Sequence, residues 1–169
     1  MENIVLIGMP SAGKSTAGVL LAKLIGYGFI DCDLIIQAEE GMRLADIIKT
    51  KGTDGFMAAE ERVCSGVMAS RCVIATGGSV IYYPKAMEHL KQIGKVVFLK
   101  LSAEEAERRI PDLVSRGVLM KGAVHTIGQL YAEREPLYER YCDVTVTCDG
   151  KTLDDLVADI ASAVGLSIK

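Results

Sequence analysis

No apolar run in this 169-residue chain approaches the ~20 residues that span a bilayer. The opening stretch "NIVLIGM" is too short, and it lacks the basic start and the cleavage site of a secretory signal. A cytoplasmic protein is therefore expected. Blocks of like charge are missing as well. The net charge is −3 and no basic patch is visible, which argues against a nucleic-acid face. A local basic pocket for a small acidic substrate remains compatible with that balance. The five cysteines, Cys32, Cys64, Cys72, Cys142 and Cys148, are odd in number and include no C-x-x-C pair. Neither a disulfide framework nor a zinc site is suggested. Only two histidines occur, His89 and His125, far apart in the chain, so a metal site built from protein ligands alone is not expected. Repeats, low-complexity tracts and linkers are absent too. One domain over residues 1–169 is expected, acting as a monomer on a small-molecule substrate, without nucleic-acid or membrane partners.

What is present is an alternation of short β-rich runs with helical patterns. Strands are expected in "NIVLIG", "GFID", "CVIATGG", "KVVFLKL" and "DVTVTC". Between them lie "KSTAGVLLAKLIG", ending on Gly26, and "DLIIQAEEG" and "RLADIIKTKG", each stopped by a glycine. Further helices are expected in "GFMAAEERVCSGVMAS", "KAMEHLKQIG", "SAEEAERRI", "IGQLYAEREPLYERY" and "TLDDLVADIASAV". Ser102 with Glu105 three residues on reads as a capping box, and Thr152 as the cap of the last helix. Five strands alternating with helices predict an α/β fold, a mostly parallel sheet covered on both faces. Residues 111–125, "PDLVSRGVLMKGAVH", lack periodicity and read as a lid.

The segment "GMPSAGKST" matches G-x-x-x-x-G-K-[ST] and lies between a strand and a helix. Gly8 and Gly13 let the backbone curl so that successive N–H groups, including those of Ser11 and Ala12, point inward. The helix behind Lys14 adds its positive end. Lys14 is placed to reach the β- and γ-phosphates, and Ser15, followed by Thr16, to ligate Mg²⁺. The loop is therefore expected to bind a nucleoside triphosphate with Mg²⁺, and the acceptor must be read from the rest of the chain.

Three further stretches follow in order: "FIDCD", with Asp31 and Asp33; "VIATGGS", with Gly77 and Gly78; and "REPLYERY", with Arg134. Together with the phosphate loop and "GTDGFMAAE", the chain resembles the shikimate kinase family over nearly its whole length. The resemblance implies a five-stranded parallel sheet of the nucleoside monophosphate kinase kind. It also implies an acceptor-binding helical region near residues 33–60, a lid, and transfer of the γ-phosphate of ATP to a hydroxyl of a small carboxylate-bearing metabolite. Carried over position by position, Asp31 stands near Mg²⁺. Asp33 binds the acceptor hydroxyl and takes its proton, the two aspartates pointing the same way along a strand. Gly77 and Gly78 let backbone approach the acceptor. Arg116 in the lid stabilises the transferring phosphoryl group, Arg134 grips the acceptor carboxylate, and Arg109 flanks the adenine. Near the C-terminus "TCDGKT" lacks the family's proline beside the adenine, which leaves Lys151 as the candidate there. Glu60 matches an acid that orients arginines in the acceptor site.

The chain departs from the family pattern at two pocket positions. Met57 stands after Phe56, where the family carries an arginine for the carboxylate, and Ser79 replaces a third glycine, narrowing the pocket and offering a donor. A charge-assisted carboxylate bond contributes about 1.5–3 kcal/mol, so its loss matters unless another arginine, such as Arg43 or Arg62, replaces it. Shikimate leads as acceptor, with homoserine or another hydroxy acid or amino acid as the rival. A regulatory NTPase without acceptor is a third reading, opposed by Asp33, Arg116 and Arg134, which a switch would not need. An inactive binding partner is opposed by the intact Lys14, Ser15 and Asp31.

Overall fold

The computed structural model describes residues 3–110 and 126–166. The chain begins with β1 (Asn3–Ile7), followed by α1 (Lys14–Ile25), β2 (Gly28–Asp31), α2 (Cys32–Glu40) and α3 (Leu44–Gly66). Next come β3 (Cys72–Ala75), one 3₁₀ turn (Val80–Tyr82), α4 (Pro84–Ile93), β4 (Gly94–Lys100) and α5 (Ala103–Arg109). The described chain closes with α6 (Ile127–Tyr141), β5 (Val144–Thr147) and α7 (Leu153–Ala163). The segment expected as a lid, 111–125 with Arg116, lies outside the described residues.

All strand pairings are parallel, in the order β2-β3-β1-β4-β5. Every residue of β1 is buried, as its unbroken apolar run requires of a central strand with both faces covered. Its one polar member, Asn3, is used as a stitch. The amide donates to the carbonyls of Ala69 (2.9 Å) and Ile93 (2.8 Å) and accepts from Cys72 N (3.0 Å), tying the starts of β3 and β4 to β1.

This order decides where a ligand can sit. From β1 the chain leaves toward β2 on one side. From β3, the neighbour of β1, it crosses to β4 on the other. The two loops diverge and open a crevice at the strand ends, the place where open α/β sheets bind ligands. The loops after β1 and β3 are those carrying "GMPSAGKST" and "GGS".

Three local expectations change. The two helices read on either side of Gly52 run together as α3, with Gly52 (φ 71°, ψ 179°) as the break between them. The Ser102–Glu105 box is half made. Ser102 Oγ accepts from Glu105 N (3.2 Å), but Ser102 N donates to Asp149 and the Glu105 carboxylate turns to Arg108 and Arg109. Asp33 is not on a strand with Asp31, because β2 ends at Asp31 and Asp33 lies in the first turn of α2. The full capping boxes occur instead at Thr126–Gln129 and Thr152–Asp155.

Candidate active site

The phosphate loop leaves β1 at Gly8, whose φ of 147° favours glycine. A side chain there has a second obstacle, since a Cβ would lie 2.5 Å from the Leu99 carbonyl oxygen of β4. Ser11 (φ 63°) and Gly13 (φ 93°) continue the curl, and Ala12 N bonds Met9 O at 3.2 Å. No side chain caps α1 at Gly13, so the N–H groups of its first turn are left to a ligand. Ser15 and Thr16 are exposed beside them.

Lys14 is buried and folded back on its own loop. Its Nζ donates to the carbonyls of Gly8 (2.8 Å) and Met9 (2.9 Å). An ammonium has three donors, so one is left to turn toward a phosphate. Burial pulls the Lys14 ammonium down to about 8, against the opposing pull of the Asp33 charge. An incoming phosphate would restore the charge that burial disfavours.

Asp31 caps α2, its Oδ1 accepting from Asp33 N (3.0 Å) and Leu34 N (3.3 Å). That turn carries the Asp33 carboxyl inward, where its Oδ1 is buried with no hydrogen-bond partner among the described residues. Burial pushes Asp33 up to about 7, the Glu60 charge adds to the rise, and Lys14 opposes it. Glu60 is fully buried on α3, and its Oε1 likewise lacks a partner among the described residues. Both unpartnered oxygens face one spot. A Cβ on Gly77 would lie 2.2 Å from Glu60 Oε1 and 2.9 Å from Asp33 Oδ1. Gly77 is thus glycine because two acids close on its Cα. Gly78 is equally enclosed, by Pro10 of the phosphate loop (2.9 Å) and Arg134 Nη1 (3.1 Å). Contacts around the two glycines therefore link the loops after β1 and β3 to α2, α3 and α6.

Arg134 is 1% exposed. Its guanidinium lies 5.2 Å from the Tyr82 ring centroid and its Nε donates to Tyr82 Oη at 3.2 Å. Tyr82 in turn donates to Glu133. Tyr138, fully buried on the same helix, donates to Gly78 O (2.5 Å) and stacks on Phe98 of β4. The charge of the buried Glu60 carboxylate also bears on this guanidinium, and Arg134 Nη1 reaches the wall at Gly78.

Ser79 differs from its expected part. It is buried, and its hydroxyl donates to Glu60 Oε2 at 2.5 Å, not to the pocket. Tyr83 donates to the same oxygen at 2.8 Å. Met57 is half-buried against the core, one turn before Glu60 on the same side of α3. Neither arginine suggested as a substitute is in the pocket. Arg62 pairs with Glu39 (2.6 Å) and Arg43 with Asp46 (3.2 Å), all at the surface. Arg109 pairs with Glu105 (2.6 Å) and Lys151 with Asp159 (2.5 Å). Both still act electrostatically on the buried Cys148 thiol, as does Lys14, so these cations gather near the end of β5. Tyr82, Tyr83, Tyr138 and Pro10 were not foreseen. The pattern "GGSVIYY", in which an apolar turn delivers two tyrosines, is the signal for Tyr82 and Tyr83, while Tyr138 and Pro10 stand within "REPLYERY" and "GMPSAGKST".

The profile of one protein family, described as Shikimate kinase, matches residues 10–164. A shikimate kinase of Francisella tularensis subsp. holarctica is 37% identical over 164 residues, covering 95% of this chain and 93% of the relative. One from Thiobacillus denitrificans is 37% identical over 147 residues, covering 86% and 80%. Among solved structures, shikimate kinase from Acinetobacter baumannii in complex with shikimate superposes with a TM-score of 0.85 at 31% identity, covering 97% of this chain and 93% of that one. The Aquifex aeolicus shikimate kinase gives 0.81 at 30% identity, covering 96% and 95%. With the phosphate loop and the enclosed acids and arginine already at one crevice, the chain belongs to the shikimate kinase family.

Proposed function

We propose that this chain transfers the γ-phosphate of ATP to a hydroxyl of shikimate. The observation that carries the reading is the meeting at Gly77 and Gly78 of the phosphate loop, a buried unpartnered acid and a buried arginine. Donor and acceptor machinery face each other across one crevice.

ATP phosphates are held by the N–H groups of Gly13–Thr16, where the loop enters α1, and by Lys14. The acceptor carboxylate pairs with Arg134, which places a hydroxyl against Asp33 Oδ1. Asp33 takes the hydroxyl proton as the oxygen attacks the γ-phosphorus and the bond to the ADP leaving oxygen breaks. Its raised affinity for protons suits a general base working near neutrality. Apart from these groups, catalysis here is positioning and charge stabilisation. Arg116 supplies charge to the transferring group from its segment, and Arg109 and Lys151 border the nucleotide base.

Among the described residues, no group of three or more His, Cys, Asp or Glu side chains is placed to hold a metal. The donor set suits Mg²⁺ carried in with ATP, which keeps most of its waters and takes few protein oxygens. Ser15 Oγ and Asp31 would hold it, and it would supply neutralisation of phosphate charge.

The test is ADP release with Mg²⁺-ATP across shikimate, homoserine and related hydroxy acids. A single strong response to shikimate is expected. Release indifferent to every acceptor would overturn the kinase reading, and a response to homoserine alone would move the substrate.

A further inference from the structure

The segment Gly77–Tyr83 surrounds one side chain. Gly77 backs onto Glu60 Oε1, while Ser79 and Tyr83 both donate to Glu60 Oε2. Ser79 also begins the 3₁₀ turn, its carbonyl accepting from Tyr82 N at 3.0 Å, and that turn sets Tyr82 beneath Arg134. Glu60 is 0% exposed, yet among the described residues its direct donors are only these two hydroxyls. Among the described residues, the other ionisable groups whose charge bears on it or on Asp33 include Lys14, Asp31, Cys64, Tyr138 and Arg134.

A buried carboxylate with one oxygen doubly held and the other free can turn about its held end. Losing either hydroxyl loosens the hold on Oε2 and with it the placement of Oε1, the oxygen packed with Asp33 Oδ1 against Gly77. We infer that Ser79 is a positioning residue of the acceptor pocket: with Tyr83 it fixes Glu60, and through Glu60 it fixes the wall formed by Gly77 and Asp33 and the charge facing Arg134. It acts without touching the acceptor. The hydroxyl at position 79 thus holds an acid on α3 that has no arginine beside it at Met57. This rests on the acceptor being the carboxylate-bearing alcohol proposed above.

The experiment compares Ser79→Ala, Glu60→Gln and the double variant with wild type, in steady-state kinetics with shikimate and ATP varied separately. Ser79→Ala is expected to raise the shikimate KM roughly tenfold, the loss of about one hydrogen bond to a charged group, with little change in the ATP KM or in kcat. The double variant should match Glu60→Gln alone, because Ser79 has nothing left to hold. An unchanged shikimate KM in Ser79→Ala would overturn the inference. So would a rise of the same size in the Glu60→Gln background, or an equal rise in the ATP KM. Should Ser79→Ala not fold, Tyr83→Phe tests the same hold, with the same pattern expected and the same results against it. Wild-type enzyme that transfers nothing to shikimate fails the kinase reading itself and takes this inference with it.

Discussion

Gly77→Ala tests the enclosure of the acid pair most directly. The added methyl would stand 2.2 Å from Glu60 Oε1, where ordinary contact begins at 3.4 Å. The carboxylate must retreat by roughly 1 Å to restore contact distance. It cannot do so freely, because its other oxygen is held by Ser79 and Tyr83. Overpacking of this kind costs about 1–3 kcal/mol, and surrendering a bond to a buried charge costs a similar amount. For a chain of this length each kcal/mol lowers the melting temperature by about 2–4 °C, so a fall of roughly 2–12 °C is expected. The shikimate KM should rise with it, since Asp33 Oδ1 lies 2.9 Å from the same methyl. Thermal melting and acceptor-dependent ADP release measure the two. Gly66→Ala is the control: nothing lies within 4 Å of its added Cβ, and the change should leave stability within about 1 kcal/mol of wild type and kinetics unchanged. Wild-type melting and wild-type KM in Gly77→Ala would refute the placement of the two acids.

Arg134→Ala should weaken acceptor binding more than ATP binding, by roughly ten- to a hundredfold in KM, read from the same assay with each substrate varied. Lys14→Ala should abolish transfer while circular dichroism stays native, because the lysine serves ligand phosphates and its own loop. Arg116→Ala should lower kcat on the order of a hundredfold or more with a smaller change in either KM, and an unaltered kcat would remove it from the transfer step. For pH, Asp33 rises from its ordinary 3.8 to about 7, so below about 7 it keeps its proton and cannot accept another. Shikimate kcat/KM should therefore climb with pH through that value. By linkage, the raised affinity favours the folded state where Asp33 is protonated, and this contribution is lost as pH rises from about 4 to about 7. Chemical denaturation of Asp33→Asn should lack that decline, and a decline identical to wild type would contradict it.

The five parallel strands and the phosphate loop were legible because they rest on local rules: apolar runs bounded by glycines, and a loop whose spacing leaves few alternatives. The break at Gly52 was legible for the same reason. Asp31 and Asp33 were harder. Their spacing fits one face of a strand equally well, and only the cap that Asp31 makes shows that Asp33 belongs to a helix. The acceptor pocket was partly legible. The glycine pair and Arg134 stand in the sequence, but their enclosure depends on Pro10, Glu60 and the tyrosines arriving from four separate segments. The part of Ser79 is not legible, because a sequence shows that a hydroxyl is present and not that it points to Glu60.

The cap on α2 has a consequence for how lesions at the site would be interpreted. Asp31 is proposed on the donor side, yet its Oδ1 also anchors the turn from which Asp33 projects. Nucleotide handling and acceptor chemistry thus share one carboxylate as a common hinge pin. Asp31→Ala would damage both at once and look like a catalytic loss of single origin. Asparagine caps a helix about as well as aspartate but brings no charge to the cation. Asp31→Asn therefore separates the two duties, keeping the acceptor side assembled while the donor side alone is impaired.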